Sequence, residues 1–248
     1  MSAITSRPVV EVTDLKKIYG PKKAIDGISF AVQPGEIFGI LGPNGAGKTT
    51  TVECLAGLRK ADNGRISVLG IDPQANPRDL PAVLGIQLQE AHLHDKIKVR
   101  EALTMFATCY ANPADIDHLI SALSLDDKRN ATFDSLSGGQ KQRLSIALAL
   151  VGNPKVVILD ELTTGLDPVT RRQTWELVKT IRDAGVTVIL VSHLMDEVEY
   201  LADRLIVIDQ GRVTAEGTPQ QLIDAVPDAR NLEDVFFALT TASTLIGA

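Results

Sequence analysis

No stretch of about 18 uncharged apolar residues occurs in this 248-residue chain, which excludes a membrane-spanning helix on hydropathy. The opening segment, Met1 to Arg7, lacks the apolar run of a signal peptide. Cysteine is scarce: Cys54 and Cys109 stand far apart without metal-ligand spacing. Both therefore read as small buried apolar residues rather than redox or metal groups, a usage that suits a reducing cytosol. Positive charge is in the minority, with a formal net charge of -6, so the broad basic footprint of a nucleic-acid partner is missing. Long repeats and low-complexity segments are absent as well. The sequon Asn130-Ala131-Thr132 is expected to be silent in a cytosolic chain.

What is present is ordinary globular material, 44% hydrophobic and 23% charged, enough for one large α/β domain or a domain with an inserted subdomain. From Val9 to Val32 short alternating runs punctuated by Gly20, Pro21, Gly27 and Pro34-Gly35 predict antiparallel strands. Ile37 to Leu41 is a compact apolar strand, followed by a glycine-rich loop and a helix from Lys48 to about Leu58. A strand at Leu84 to Leu88 precedes amphipathic stretches at Val99 to Ala111 and Ile116 to Leu123.

Ser137 is an N-cap for a helix that Gly152 and Pro154 stop, and Val156 to Leu159 has the unbroken apolarity of a parallel strand covered on both faces. Asp167-Pro168 opens a helix that ends at Gly185, with Trp175, Val178 and Ile181 on one stripe. Val186 to Val191 and Leu205 to Ile208 are further strands, and Asp209 to Arg212 reads as a hairpin turn. Together these predict a mostly parallel sheet with helices on both faces, an antiparallel β layer and sites at the carboxyl ends of the strands. The expected division is a core of about 9–91 and 136–222, a helical subdomain of about 92–135 and a tail of about 223–248.

Gly42-Pro43-Asn44-Gly45-Ala46-Gly47-Lys48-Thr49 fits G-x-x-x-x-G-K-[ST] directly between a strand and a helix, the context that defines a P-loop. Backbone N–H groups there turn inward on phosphates, and the helix N-terminus adds partial positive charge. Lys48 is expected to reach the β- and γ-phosphates of ATP and Thr49 to ligate Mg²⁺, with Thr50 next along the same phosphate-binding turn. Asp160 ends the buried strand in the position where an acid holds Mg²⁺ through water. Glu161 follows at once; a second carboxylate there is costly unless a cation or polarised water intervenes, so Glu161 is assigned to polarising the attacking water. Leu136-Ser137-Gly138-Gly139-Gln140 is a second helix start that exposes a hydroxyl and backbone N–H groups.

Motifs in this order resemble the ATP-binding cassette (ABC) family from Val9 to Leu222. The resemblance implies that Leu136 to Gln140 is the signature motif, acting on ATP held by the P-loop of a second subunit. It further implies that Tyr19 stacks on adenine, although taken alone it reads equally as a packed strand residue. Gln89 aligns with the Q-loop glutamine, a contact for Mg²⁺ and water, with Gln87 as its rival. His193 takes the place of the histidine that contacts the γ-phosphate, and Gly165-Leu166-Asp167 that of the D-loop. Leu162 departs from the family's usual proline after the catalytic acid. His92-Leu93-His94 reads as loop residues lining a partner groove, to which Glu90 to Lys98 contribute.

Such a chain is expected to hydrolyse ATP as one half of a homo- or heterodimer beneath separate transmembrane permease subunits, peripheral on the cytoplasmic side of the membrane. The segment Leu232 to Thr240 resembles the tail of bacterial drug and antibiotic exporter subunits, favouring export; otherwise it is an amphipathic helix docked on its own domain. The rival, a non-transport ABC ATPase of translation or DNA repair, usually needs two cassettes or a long coiled-coil insertion. A kinase or GTPase switch leaves Leu136 to Gln140 unexplained.

Overall fold

Every residue of Ile37–Leu41 is buried, and the other elements are arranged about this strand. The computed structural model describes residues 7–87 and 93–246. Along the chain come β1 (Val10–Tyr19), β2 (Lys22–Val32), β3 (Ile37–Leu41), α1 (Lys48–Leu55), β4 (Asn63–Val68) and β5 (Leu84–Gln87). Helices α2 (Val99–Ala107), α3 (Ile116–Ala122) and α4 (Gly138–Leu150) follow, then β6 (Val156–Asp160), α5 (Pro168–Asp183), β7 (Thr187–Ser192) and α6 (Met195–Leu201). The chain finishes with β8 (Arg204–Asp209), β9 (Arg212–Gly217), α7 (Pro219–Ala225) and α8 (Leu232–Ile246).

One sheet has the order β5-β6-β7-β3-β8-β9, parallel throughout except for the β8–β9 hairpin. The other is antiparallel, in the order β2-β1-β4. Period-two side chains of the central strands feed two cores. Phe38, Ile40, Ile158, Ile189 and Val191 meet the antiparallel sheet and Val52 and Leu55 of α1. Ile37, Leu41, Val157, Leu159, Val188 and Leu190 meet Leu103, Leu144, Trp175 and Val198 from the helices on the opposite face. Burying each such side chain is worth about 1.5–3 kcal/mol, which is why apolar runs without polar alternation settle here. Leu41 pairs with Ser192, Asp160 with Val191 and Gln87 with Leu159, so four strand ends open on one edge.

Several boundaries differ from the sequence expectation. Helix α1 stops at Leu55 rather than near Leu58 because Gly57 (φ 69°) reverses the chain. The Leu58 N–H then donates to Glu53 O and the Gly57 N–H to Cys54 O, the paired bonds of a Schellman cap. Helix α2 ends at Ala107 instead of Ala111: Thr108, Cys109 and Tyr110 each donate three residues back, tightening the chain into a final non-α turn. Cys109 lies in that turn and is exposed, contrary to its reading as buried, whereas Cys54 is buried and its thiol pushed up to about 11 by burial. Strand β4 was not anticipated at all. Helix α8 docks on its own chain through buried Leu232 and Val235, and its Leu232 N–H donates to Glu199 Oε2. Among the described residues no helix is long and apolar enough to cross a membrane.

Candidate functional site

The loop leaving β3 is shaped by what it can avoid. Gly47, the N-cap of α1, has φ 111°, and a Cβ there would run into Ala24 O on β2. Only glycine lets the chain turn this tightly with its amides facing inward. Ala46 O accepts from the Gly211 N–H at the β8–β9 turn, which braces the loop from behind. That turn has positive φ at both Gln210 and Gly211, as a two-residue type I′ hairpin requires. Lys48 is buried, and its Nζ donates to Gly42 O at 2.7 Å and Pro43 O at 3.1 Å. Burial lowers its pKa, while Glu161 and Asp160 pull it back up.

A cleft over this loop is lined by Tyr19, Lys22, Ala24, Asn44, Gly45, Gly47, Lys48, Thr49, Thr50 and Glu161. Tyr19 is exposed at the end of β1 rather than packed, with Lys17 and Arg59 beside its ring. Lys22 and Ala24 were not singled out from sequence; the Gly20-Pro21 turn that folds β2 back beside Tyr19 was the available signal.

Asp160 and Glu161 arrive on the end of β6. Asp160 is 4% exposed, and burial, aided by Glu161 and opposed by Lys48, pushes its carboxyl up to about 6. Glu161 has φ 50°, an uncommon backbone state for a non-glycine residue, of the kind that clusters where a side chain must be aimed. Its N–H donates to Val191 O on β7. Two residues further along β7's exit, His193 Nδ1 lies 3.2 Å from Glu161 Oε1. The Asp160 carboxylate and the Thr49 hydroxyl both offer oxygen, the donor chemistry that fits a hard divalent cation such as Mg²⁺. No cluster of three His, Cys, Asp or Glu metal ligands occurs among the described residues.

Gln87 is buried, and its Oε1 accepts from the Asp160 N–H at 3.1 Å, bracing β6. Gln89, Glu90 and His92 lie outside the described residues. His94 is a loop residue whose Nδ1 accepts from the Lys96 N–H.

The signature segment forms a second cluster. Ser137 caps α4: its Oγ accepts from the Gln140 N–H, and Gln140 Oε1 accepts from the Ser137 N–H, a closed capping box. A Cβ on Gly139 would clash with Thr170 Cγ2, so the start of α4 rests against the start of α5. Asp167 caps α5 by accepting from Val169 N–H, Thr170 N–H and Thr170 Oγ1, bonds that lower its pKa. Ser137, Gly138, Gly139, Gln140 and Asp167 are not among the residues lining the P-loop cleft of the same chain. Leu162, in place of the family's usual proline, is 1% exposed and packs in the helical core.

The family model for the ABC transporter matches residues 25–164. The chain is 43% identical over 221 residues to "Nod factor export ATP-binding protein I" of Burkholderia pseudomallei (strain 1710b), covering 87% of this chain and 73% of that protein. Among solved structures, an ATP-binding subunit of an ABC transporter superposes with a TM-score of 0.83 at 25% identity, covering 94% of this chain and 99% of that one. CbiO1 of Clostridium perfringens, described as part of the ABC transporter complex CbiONQ, gives 0.81 at 27% identity, covering 98% and 100%.

Proposed function

Because the chain belongs to the ABC transporter family as an ATP-hydrolysing, nucleotide-binding subunit, we propose that it works as one half of an ATP-closed dimer, docked on separate permease subunits at the cytoplasmic face of a membrane. The observation that carries this reading is the contact of His193 with Glu161 beside the P-loop lysine, together with a signature cluster set apart from that cleft. A phosphate-binding helix end that does not face its own P-loop is free to face another subunit's. The helices of residues 93–135 then serve as the subdomain that meets the permease, with α8 as a tail folded back on the chain. Relatives named as export ATP-binding proteins favour transport over translation or repair, and export as its direction.

In this reading Tyr19 stacks on adenine, and the loop Gly42, Pro43, Asn44, Gly45, Ala46, Gly47, Lys48, Thr49 and Thr50 binds the phosphates, with Asn44, Gly45, Gly47, Lys48, Thr49 and Thr50 lining the cleft. Thr49 and Asp160, with Gln89 from outside the described residues, would hold Mg²⁺, which when bound would supply neutralising charge to the phosphates. Glu161 accepts a hydrogen bond from the attacking water and orients its lone pair on the γ-phosphorus. The new P–O bond forms as the bond to the β,γ-bridging oxygen breaks, and ADP leaves with that electron pair. His193 and Lys48 bind the charge that spreads over the γ-oxygens, and Ser137, Gly138, Gly139 and Gln140 of the second subunit do so from the other side, with Asp167 joining the two sites.

The test is Mg²⁺-dependent ATP hydrolysis across protein concentration, wild type beside Glu161→Gln, with light scattering of each in ATP. The reading requires a rate per subunit that climbs with concentration and a mutant trapped as a dimer. Equal, concentration-independent rates from strict monomers would remove it.

A further inference from the structure

Glu197, on α6, is 0% exposed although it is ionisable. Its Oε1 accepts from Thr163 Oγ1 at 2.7 Å and from Trp175 Nε1 at 3.1 Å. Its Oε2 is buried with no hydrogen-bond partner among the described residues. Packing does not account for such a residue: a buried carboxylate with one oxygen unsatisfied is unfavourable, and an apolar side chain of similar volume would fill the space at lower cost. What the carboxylate does that an apolar group cannot is accept two hydrogen bonds from two different elements at once.

Those elements are the ones that aim the reacting groups. Thr163, also 0% exposed, stands two residues beyond Glu161, and Glu197 stands four beyond His193. Beyond the Glu161 N–H to Val191 O bond, the segments leaving β6 and β7 are joined by His193 Nδ1 to Glu161 Oε1 and by the buried bond from Thr163 Oγ1 to Glu197 Oε1. Thr163 O also accepts from the Leu166 N–H, which shapes the turn into Asp167, and Trp175 belongs to the helix that Asp167 caps. One carboxylate oxygen therefore holds both flanks of the Asp167 loop. Glu161 keeps an uncommon φ of 50° and has a short tether on each side, the Val191 carbonyl before it and Thr163 after it.

We propose that Glu197 is a positioning residue for γ-phosphate hydrolysis, fixing Glu161 and the Asp167 loop against His193 through Thr163 and Trp175. This rests on Glu161 and His193 as the hydrolytic pair.

Thr163→Val keeps the side-chain shape and removes the donor, Thr163→Ser keeps the donor, and Glu197→Met keeps a similar volume while removing both acceptor oxygens. In the full-length chain, kcat, KM and equilibrium ATP affinity are measured for each, with thermal melting as a check on folding. Thr163→Val is expected to lower kcat about tenfold with ATP affinity nearly unchanged, Thr163→Ser to restore most of it, and Glu197→Met to follow Thr163→Val. In single-turnover assays on the Glu161→Gln background, Thr163→Val should cost nothing further, since the group it positions is already disabled. Wild-type kcat in Thr163→Val beside an inactive Glu161→Gln would overturn the role of Glu197 alone, as would an equal loss on both backgrounds. Wild-type turnover by Glu161→Gln would instead overturn the underlying assignment, and this proposal with it.

Discussion

His193 Nδ1 and Glu161 Oε1 stand 3.2 Å apart, although 32 residues separate them in the chain, because β6 and β7 are adjacent parallel strands with Asp160 in register with Val191. The register delivers a carboxylate and an imidazole to the same edge, and the Glu161 N–H bonded to Val191 O fixes the approach. Nothing about either residue alone specifies this; the strand pairing does.

Replacing Glu161 by Gln keeps the shape of the side chain and removes its ability to draw a proton from water. Turnover should fall by about 100-fold or more, the scale of a positioned general base, while ATP affinity holds. Phosphate release and equilibrium nucleotide binding on the same preparation check this. Affinity falling in step with rate would mean that Glu161 mainly binds nucleotide.

Gly139 meets Thr170 so closely that a Cβ at position 139 would strike Thr170 Cγ2. Gly139→Ala should therefore destabilise the chain by about 1–3 kcal/mol through overpacking. Thr170→Ser deletes the obstructing methyl and retains the hydroxyl that donates to Asp167 Oδ2, so the double variant should recover much of the loss. Urea unfolding of the four proteins reads the coupling directly, and strict additivity would show that the two residues do not touch.

Much of this site was legible because its parts are local. A glycine loop between strand and helix, an acidic pair after an unbroken apolar strand, and Ser137 and Asp167 ahead of helices each carry their physical reason within a few residues. Strand β4 is not legible in that way: Ile66 and Val68 alternate with less buried neighbours, but the run is short and Asn63-Gly64 at its start reads as a turn. The end of α1 depends on Gly57 taking a left-handed turn, and the exposure of Cys109 on the tightening after α2; period alone shows neither. The Thr163–Glu197 bond joins residues 34 apart, and no spacing rule predicts which buried threonine a buried glutamate will find.

Leu162 follows Glu161 where the family usually has proline, and it is 1% exposed in the helical core. A side chain so placed anchors the loop by packing instead of by ring geometry. Leu162→Ala should cost about 2–5 kcal/mol of stability, seen as a lowered urea midpoint with an unchanged slope. A loss under about 0.5 kcal/mol, the usual range for surface sites, would show that the side chain does not hold the loop.

Asp160 ties stability to pH. Burial, aided by Glu161 and opposed by Lys48, raises its carboxyl from an ordinary 3.8 to about 6. A carboxyl raised on folding contributes most when protonated: that contribution is complete below about pH 3.8 and is lost as pH rises through about 6. Above that window the metal-free chain carries an ion that the fold disfavours, at a cost on the order of 3 kcal/mol. Asp160→Asn removes the ion, so in chelator the variant should be more stable than wild type at pH 8, and the advantage should shrink toward pH 4.5. With Asp160 as the proposed Mg²⁺ ligand, only its ionised form would bind the cation, so wild-type affinity for Mg²⁺ should weaken about tenfold for each pH unit below 6, one proton competing with one cation. Urea unfolding from pH 4.5 to 8, with and without Mg²⁺, measures both effects, and a stability difference that stays constant across that range would show that Asp160 does not titrate there.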